Sequence, residues 1–340
     1  MRRVRKFYCL CLVGMSTALV AQQYRVVNRI SFPGDTGWDY LFADSESRQL
    51  YVSHGNEVEV VDLDSQKPAG KITGLDRVHG IAIANALHRG FISDGGANVV
   101  VIFDTKTRAE VQRVKTGTNP DGIVYDAYSK RVFAFNGRSQ DATVIDAATG
   151  NLAGTIALGG KPEFPVSDGK GNLFVNIEDK SEIVRINPKT LQVEKRWPLA
   201  PCEEPSGLAI DVSSNRLFSV CSNKRMAVVD AKSGKVVTTV PIGEGPDAVA
   251  FDPARKLVFS SNGQDGTITV SKEESPDKYS VVETDTSERS ARTLALDGKT
   301  HILYLSAAQF GAAPAATSDN PHPRPKIVPG SFHVLIVSPN

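Results

Sequence analysis

Seven positions in this 340-residue chain combine reactive side-chain types with near-even spacing. They are Asp39, His79, Asp121, Glu163, Ser206, Asp247 and Arg292, separated by steps of 40 to 45 residues. Carboxylates with an imidazole can hold a divalent cation. Carboxylates with a guanidinium can instead grip a ligand that carries an anionic group together with a cationic or sugar-like one. Four carboxylates crowded together are unfavourable unless a cation or an arginine stands among them. The set is therefore expected to be a ligand site.

A second set recurs between these positions: His54, Asp94, Asn136, Cys221 and Asn262, with Arg138, Glu178 and Asp179 nearby. The last copy has Ala307 there, followed by Gln309 and Phe310. A metal reading takes His54 and His79 as ligands, completed by Asp39, Asp121 or Glu163, although no HxH or HExxH spacing supports it. A metal-free reading uses Arg138 or Arg292 for an anionic group. The expected binding residues are thus Asp39, His54, His79, Asp121, Asn136, Arg138, Glu163, Glu178, Asp247, Asn262, Arg292 and Gln309, with no catalytic residue assigned.

Equal spacing requires a repeating scaffold, and the chain has one. An acid or amide after an apolar strand recurs at Asp62, Asp104, Asp146, Asn187 and Asp230, in steps of 41 to 43 residues. A proline precedes a strand at Pro120, Pro162, Pro205 and Pro246. Each unit holds four strand signals; in the third they are GIVYDA, RVFAFN, ATVIDA and LAGTIAL, broken by Gly, Asp, Asn and Pro. Asp146 and its counterparts suit tight turns, which is a sufficient structural reason for them. Four strands every 41–45 residues is the pattern of a β-propeller blade. Seven units make a seven-bladed propeller of four-stranded antiparallel blades. The last unit supplies only three strands. The segment YRVVNRISFPG from Tyr24 matches GKVVTTVPIG and is expected to close the ring as the missing outer strand. His88 and His301 fall in turns on the opposite face, where simple exposure is expected.

The stretches LYVSHG, VEVVDLDSQKPAGKI and VVDAKSGKVVTTVPIGEGPDAVAFDP resemble the YVTN repeat of secreted bacterial propellers, the YncE-like proteins. The resemblance covers nearly all of the chain after its first residues. It implies the propeller fold and carries no catalytic motif to transfer.

Residues 1–21 pair a basic start (Arg2, Arg3, Arg5, Lys6) with a short apolar run, and are expected to be a signal peptide. Residues 22–340 then form one domain with a formal charge of −3. That balance gives no footprint for nucleic acid, and no further run is long enough to span a membrane. Cys202 and Cys221 remain after cleavage and are expected to form a disulfide in an oxidising compartment. A Pro- and Ala-rich insertion, about residues 308–330, interrupts the last blade as a tether or a lid. There is no GxSxG elbow, P-loop, CxxCH haem motif or EF-hand loop.

These features lead to a periplasmic or secreted, monomeric binding or interaction scaffold with a carboxylate-rich pocket at the channel mouth. Its partner would be a small molecule or an envelope protein. No cofactor is expected unless a divalent metal binds. The alternatives are a metal-dependent hydrolase of lactone-like substrates and a structural envelope protein.

Overall fold

The computed structural model describes residues 23–315, 323 and 325–340; residues 1–21, expected to be a signal peptide, lie outside them. Seven four-stranded antiparallel sheets follow one another around a ring. Blade 1 comprises Trp38–Asp44, Gln49–His54, Glu57–Asp62 and Lys67–Ile72, from the innermost strand outward. Blades 2 to 6 repeat the arrangement in chain order. Blade 7 joins Leu294–Asp297, Ile302–Ala307 and His333–Pro339 to the N-terminal strand Tyr24–Ser31, which pairs antiparallel with His333–Pro339 as the outermost strand. The expected closure is thus observed.

Burial explains the strand composition. The second and third strands of each blade are packed on both faces, so they read as nearly continuous apolar runs such as RVFAFN and VVVIFD. The outer strands show one sheltered face at most; Lys67–Ile72 buries only Ile72. The cores lie between blades, as where Val52 and Val61 of blade 1 meet Phe332, Val334 and Ile336 of blade 7. The turn acids act as expected. Asp62, Asp104, Asp146 and Asp230 each accept a backbone N–H three residues on, at 2.7–2.8 Å.

One irregularity positions the mouth. In blades 1 to 6 the antiparallel register slips near the start of the innermost strand, between Trp38 and Leu41 in blade 1 and at the equivalent residues elsewhere. Asp39, His79, Asp121, Glu163, Ser206 and Asp247 all lie inside these slips. Such bulges bend a strand and re-aim its side chains. Buried polar side chains of the second strands satisfy the backbone groups the ladder releases. Ser53 accepts the Asp39 N–H at 2.8 Å, Ser93 the Gly80 N–H at 2.7 Å, and Asn176 donates to the Ser206 carbonyl at 2.9 Å.

On the opposite face, acids ending the innermost strands tie neighbouring blades together. Asn85 donates to Asp44 at 2.9 Å, Ser167 to Asp126 at 2.5 Å, and His301 pairs with Asp252 at 2.7 Å. His301 is therefore an interblade link, not simply an exposed turn residue as its position in the repeat suggests. In blade 4 the next residue, Asp168, organises its own turn by accepting from the Asn172 backbone and side chain.

Candidate functional site

The seven repeat positions converge on the axis as a chain of contacts. Asp39 Oδ2 lies 2.6 Å from His79 Nδ1, and Asp121 Oδ1 lies 3.7 Å from the same nitrogen. Arg292 donates to Asp247 Oδ2 at 2.6 Å and stands 3.5 Å from Asp39 Oδ1. Ser206 donates to the other Asp247 oxygen at 2.6 Å. Lys161, one residue before the Pro162 anchor, pairs with Glu163 at 2.8 Å and also with Glu178. The carboxylates and His79 keep only 12–18% of their side-chain surface in solvent.

Immediately below this ring the channel is filled. The residues after the ring positions are Tyr40, Gly80, Gly122, Phe164, Gly207, Ala248 and Thr293. The glycines let adjacent innermost strands touch: a Cβ on Gly122 would sit 2.8 Å from the Glu163 carbonyl, and one on Gly207 2.7 Å from that of Asp247. Into the space left, Tyr40 and Phe164 project as a tilted, closely packed pair. The mouth is consequently a blind cup.

Electrostatics follow from crowding in this half-dry setting. Burial, reinforced by Asp39, pushes the Asp121 carboxyl up to about 7 despite His79 and Lys161. Burial, reinforced by Asp121, pushes Glu163 up to about 8 against the pull of Lys161. Asp247 is raised by burial although Arg292 opposes the shift. Burial pulls His79 down, but its hydrogen bond to Asp39 and the charge of Asp121 outweigh this and raise it. Tyr40 is raised well above its ordinary value by burial and by Asp121, Glu163, Asp39 and Asp247 together. Each of the four acids thus lies close enough to that phenol to influence it.

Beside the cup opens a cavity of about 810 Å³. Glu204, Glu244 and Asp247 line it with Arg292, and Glu178 reaches its edge. Trp38 and Phe310 supply an aromatic wall, their centroids 6.0 Å apart. Phe310 belongs to the insertion, whose described parts pair Phe310 with Ile327 and place Pro325 and Ile327 on the cavity wall. Gln309 holds this base through backbone bonds with Val328 and Ser331 and does not line the cavity.

The other second-set residues are drawn elsewhere. Asn136 and Asn262 are fully buried, where each locks its own hairpin by donating to a threonine seven residues on, Thr143 or Thr269, at 3.0 Å. Asp94 is equally buried and caps a turn by accepting the Asp76 and Ala97 N–H groups. Arg138 is exposed on a loop and reaches neither cup nor cavity wall. Asp179 accepts the Lys161 N–H at 2.7 Å. His54 lies in the seam between blades 1 and 7, in a group separate from that of His79, so the two histidines do not share one metal position. Cys221 is bonded to Cys202, with Cα atoms 5.7 Å apart. Lys161, Tyr40, Phe164, Glu204 and Glu244 belong to the site and are absent from the set read from the repeat.

The fold is that of a seven-bladed β-propeller, with Tyr40 and Phe164 in contact beneath the ring. No family model matches the chain. Two curated relatives are both named uncharacterized protein YncE. That of Salmonella typhimurium is 25% identical over 217 residues, 62% of this chain and 59% of the relative. That of Salmonella typhi is 26% identical over 152 residues, 42% of each chain. The matched stretch spans less than two thirds of either relative. Among solved structures, a chain of the Kuenenia stuttgartiensis hydrazine synthase superposes with TM-score 0.69 at 15% identity, covering 82% of this chain and 94% of its own. A chain of the mitotic checkpoint complex gives TM-score 0.75 at 14% identity, covering 99% and 98%. These two show the fold alone. The chain is thus a seven-bladed β-propeller that is similar, over part of its length, to these YncE proteins. Fold and kinship fit a binding scaffold in general terms. No helix among the described residues is long and apolar enough to cross a membrane.

Proposed function

We propose that this propeller is a binding scaffold whose mouth captures a small organic cation. The observation that carries the reading is the Asp121–Glu163 pair on adjacent blades. Both carboxyls are pushed into the neutral range because burial outweighs the cations nearby. An ammonium or amidinium group placed beside them would favour their ionised forms and supply the missing positive charge. Glu178, Glu204 and Glu244 extend the acidic lining outward, and Trp38 with Phe310 offers aromatic faces to a cation or its hydrocarbon stem. The adjoining cavity, which Asp247 and Arg292 of the ring line but Asp121 and Glu163 do not, has the size of small-molecule pockets, which run to roughly 300–1,000 Å³, and would take the rest of the ligand. The Cys202–Cys221 bridge supports work in an oxidising compartment, periplasmic or extracellular.

Calorimetric titration with putrescine, spermidine and arginine tests this. Binding should be tighter at pH 8 than at pH 5, since protonated carboxyls compete with the cation, and should weaken in Glu163→Gln. No heat from any of these amines at either pH would reject the reading. A second reading, the metal-dependent hydrolase, is favoured by one fact: ligating atoms of Asp39, His79 and Asp121 lie within 4.8 Å of one another. A divalent ion lost on Asp121→Asn, with lactone hydrolysis lost alongside it, would support that reading instead.

A further inference from the structure

A second group of ligating side chains stands apart from the mouth. His54 ends the second strand of blade 1, and Glu57 begins the third directly opposite it. Glu59 follows two residues on, so all three occupy one face of the sheet. Val52, paired with Glu59, places that face in the seam against Phe332 of blade 7. Glu59 is thus a carboxylate sunk in an interblade seam, 6% exposed, and His54 is 2% exposed.

His54 is held but not satisfied. Its ring stacks on Phe332 with centroids 4.1 Å apart and planes 20° from parallel. Neither ring nitrogen has a hydrogen-bond partner among the described residues. Nδ1 faces Glu59 Oε1 at 3.8 Å, too long for a hydrogen bond. A buried imidazole with both nitrogens idle is costly and requires an explanation. Donor atoms of His54, Glu57 and Glu59 lie within 4.8 Å of one another. Two donors on one tetrahedral zinc ion, at bonds of about 2.0–2.2 Å, sit roughly 3.3–3.6 Å apart. The His54–Glu59 spacing is therefore nearer to that of two ligands than to that of a bonded pair.

We propose that His54, Glu57 and Glu59 form a binding site for a divalent transition-metal ion of the Zn²⁺ class. The ligands are His54 Nδ1 and one oxygen from each glutamate. An imidazole with two carboxylates suits such an ion, whereas Ca²⁺ and Mg²⁺ take oxygen-only shells and Cu⁺ prefers thiolates. Two carboxylates and a neutral imidazole balance the charge of a dication. Lys71 holds Glu57 Oε2 at 2.9 Å from a half-exposed position, which leaves Oε1 for the metal. The Phe332 stack fixes the imidazole plane, as outer-shell contacts do in metal sites. The site is independent of the mouth ring, where His79 Nδ1 is already engaged by Asp39 at 2.6 Å. The ion would fasten the hairpin of blade 1 in the seam where the ring closes.

The test uses the full chain, stripped with chelator and titrated with Zn²⁺ by calorimetry and with Co²⁺ by visible absorption. One ion per chain, a Co²⁺ d–d band and a Zn²⁺-dependent rise in melting temperature are expected. Glu57→Gln, at the rim of the hairpin, should fold normally by circular dichroism and bind more than about tenfold more weakly, the loss that even an outer-shell change can bring. His54→Gln should remove the Co²⁺ band. Asp121→Asn should leave binding unchanged, separating this site from the mouth. Absence of a titratable ion in the folded wild-type chain, or unchanged affinity in Glu57→Gln, overturns the proposal. So does ion binding that Asp121→Asn removes and Glu57→Gln keeps.

Discussion

Tyr40 of blade 1 and Phe164 of blade 4 meet across the central axis, their centroids 4.4 Å apart and their planes 36° from parallel. Seven blades leave a channel, and this pair closes it. The Tyr40 hydroxyl is buried without a hydrogen-bond partner among the described residues, so the ring, not the phenol oxygen, is the useful part of the side chain. Tyr40→Phe should therefore be neutral or slightly stabilising. Tyr40→Ala should cost about 2–4 kcal/mol through lost contacts and an unfilled void. Urea denaturation of both variants measures this. An alanine variant as stable as wild type would show that the pair does not fill the channel.

The acid pair makes stability depend on pH in a definite direction. Asp121 binds its proton more tightly folded, at about 7, than at its ordinary 3.8, and Glu163 does so at about 8 against 4.5. Between these limits the folded state carries more protons than the unfolded, so stability falls as pH rises from about 4 to about 8. His79 adds to the trend: its pKa is raised above 6.5, so its contribution is complete below that value and fades as pH passes the folded one. Asp121→Asn should thus stabilise the protein by on the order of 1–3 kcal/mol at pH 8 and much less at pH 5. Melting curves across that range decide the matter; a gain that does not grow with pH contradicts the assignment.

The Cys202–Cys221 bond joins the loop entering blade 5 to the end of that blade's second strand. Ser222, beside it, donates its N–H to the Glu203 carbonyl at 3.0 Å, so the bond steadies the segment that carries Glu204 to the cavity. Replacing both cysteines with serine should lower stability by about 3 kcal/mol and weaken ligand capture at the mouth. Intact mass after alkylation, with and without reductant, reports the bond directly. Two alkylated thiols in the unreduced, denatured protein would disprove it.

Removing residues 23–32 takes the outer strand from blade 7, and with it the buried Tyr24, Ile30 and Phe32. The melting temperature should fall sharply, and gel filtration should show association through the bared strand edge. A truncated chain that melts like the intact one would mean that closure contributes nothing to stability.

The architecture was readable because the blades repeat the same demands: two doubly buried strands throughout, a turn acid or amide in blades 1 to 5, and a proline opening the innermost strand in blades 3 to 6. The spacing of the mouth positions was readable for the same reason, since in blades 1 to 6 the bulge falls at one place in the repeat while its residue varies. His54, Asn136 and Asn262 show where that logic stops. Their positions match those of mouth residues, but a side chain ending the second strand can turn into its own hairpin or into the seam. Asn136–Thr143 and Asn262–Thr269 share a spacing of seven residues, which marks a recurring structural lock. Tyr40 and Phe164 break a run of small residues after the ring positions, and that break was the available signal. That the two would meet depends on ring curvature, which no local period encodes.

Tyr24 stands opposite Pro339 in the closing blade, so the first of the propeller's strands is among the last to find its partner. A ribosome adding roughly 5–20 residues per second needs on the order of 15–60 s to cross that interval. Throughout it, the other six blades can assemble while the first strand waits. The composition of Tyr24–Ser31 suits such a wait: Arg25, Asn28 and Arg29 are solvent-facing even in the finished ring, and Tyr24 and Ile30 alone are buried. Its two arginines make it a poor template for a stray neighbour even though Val27 is also exposed. Its residues thus guard the newborn chain before they serve the folded one.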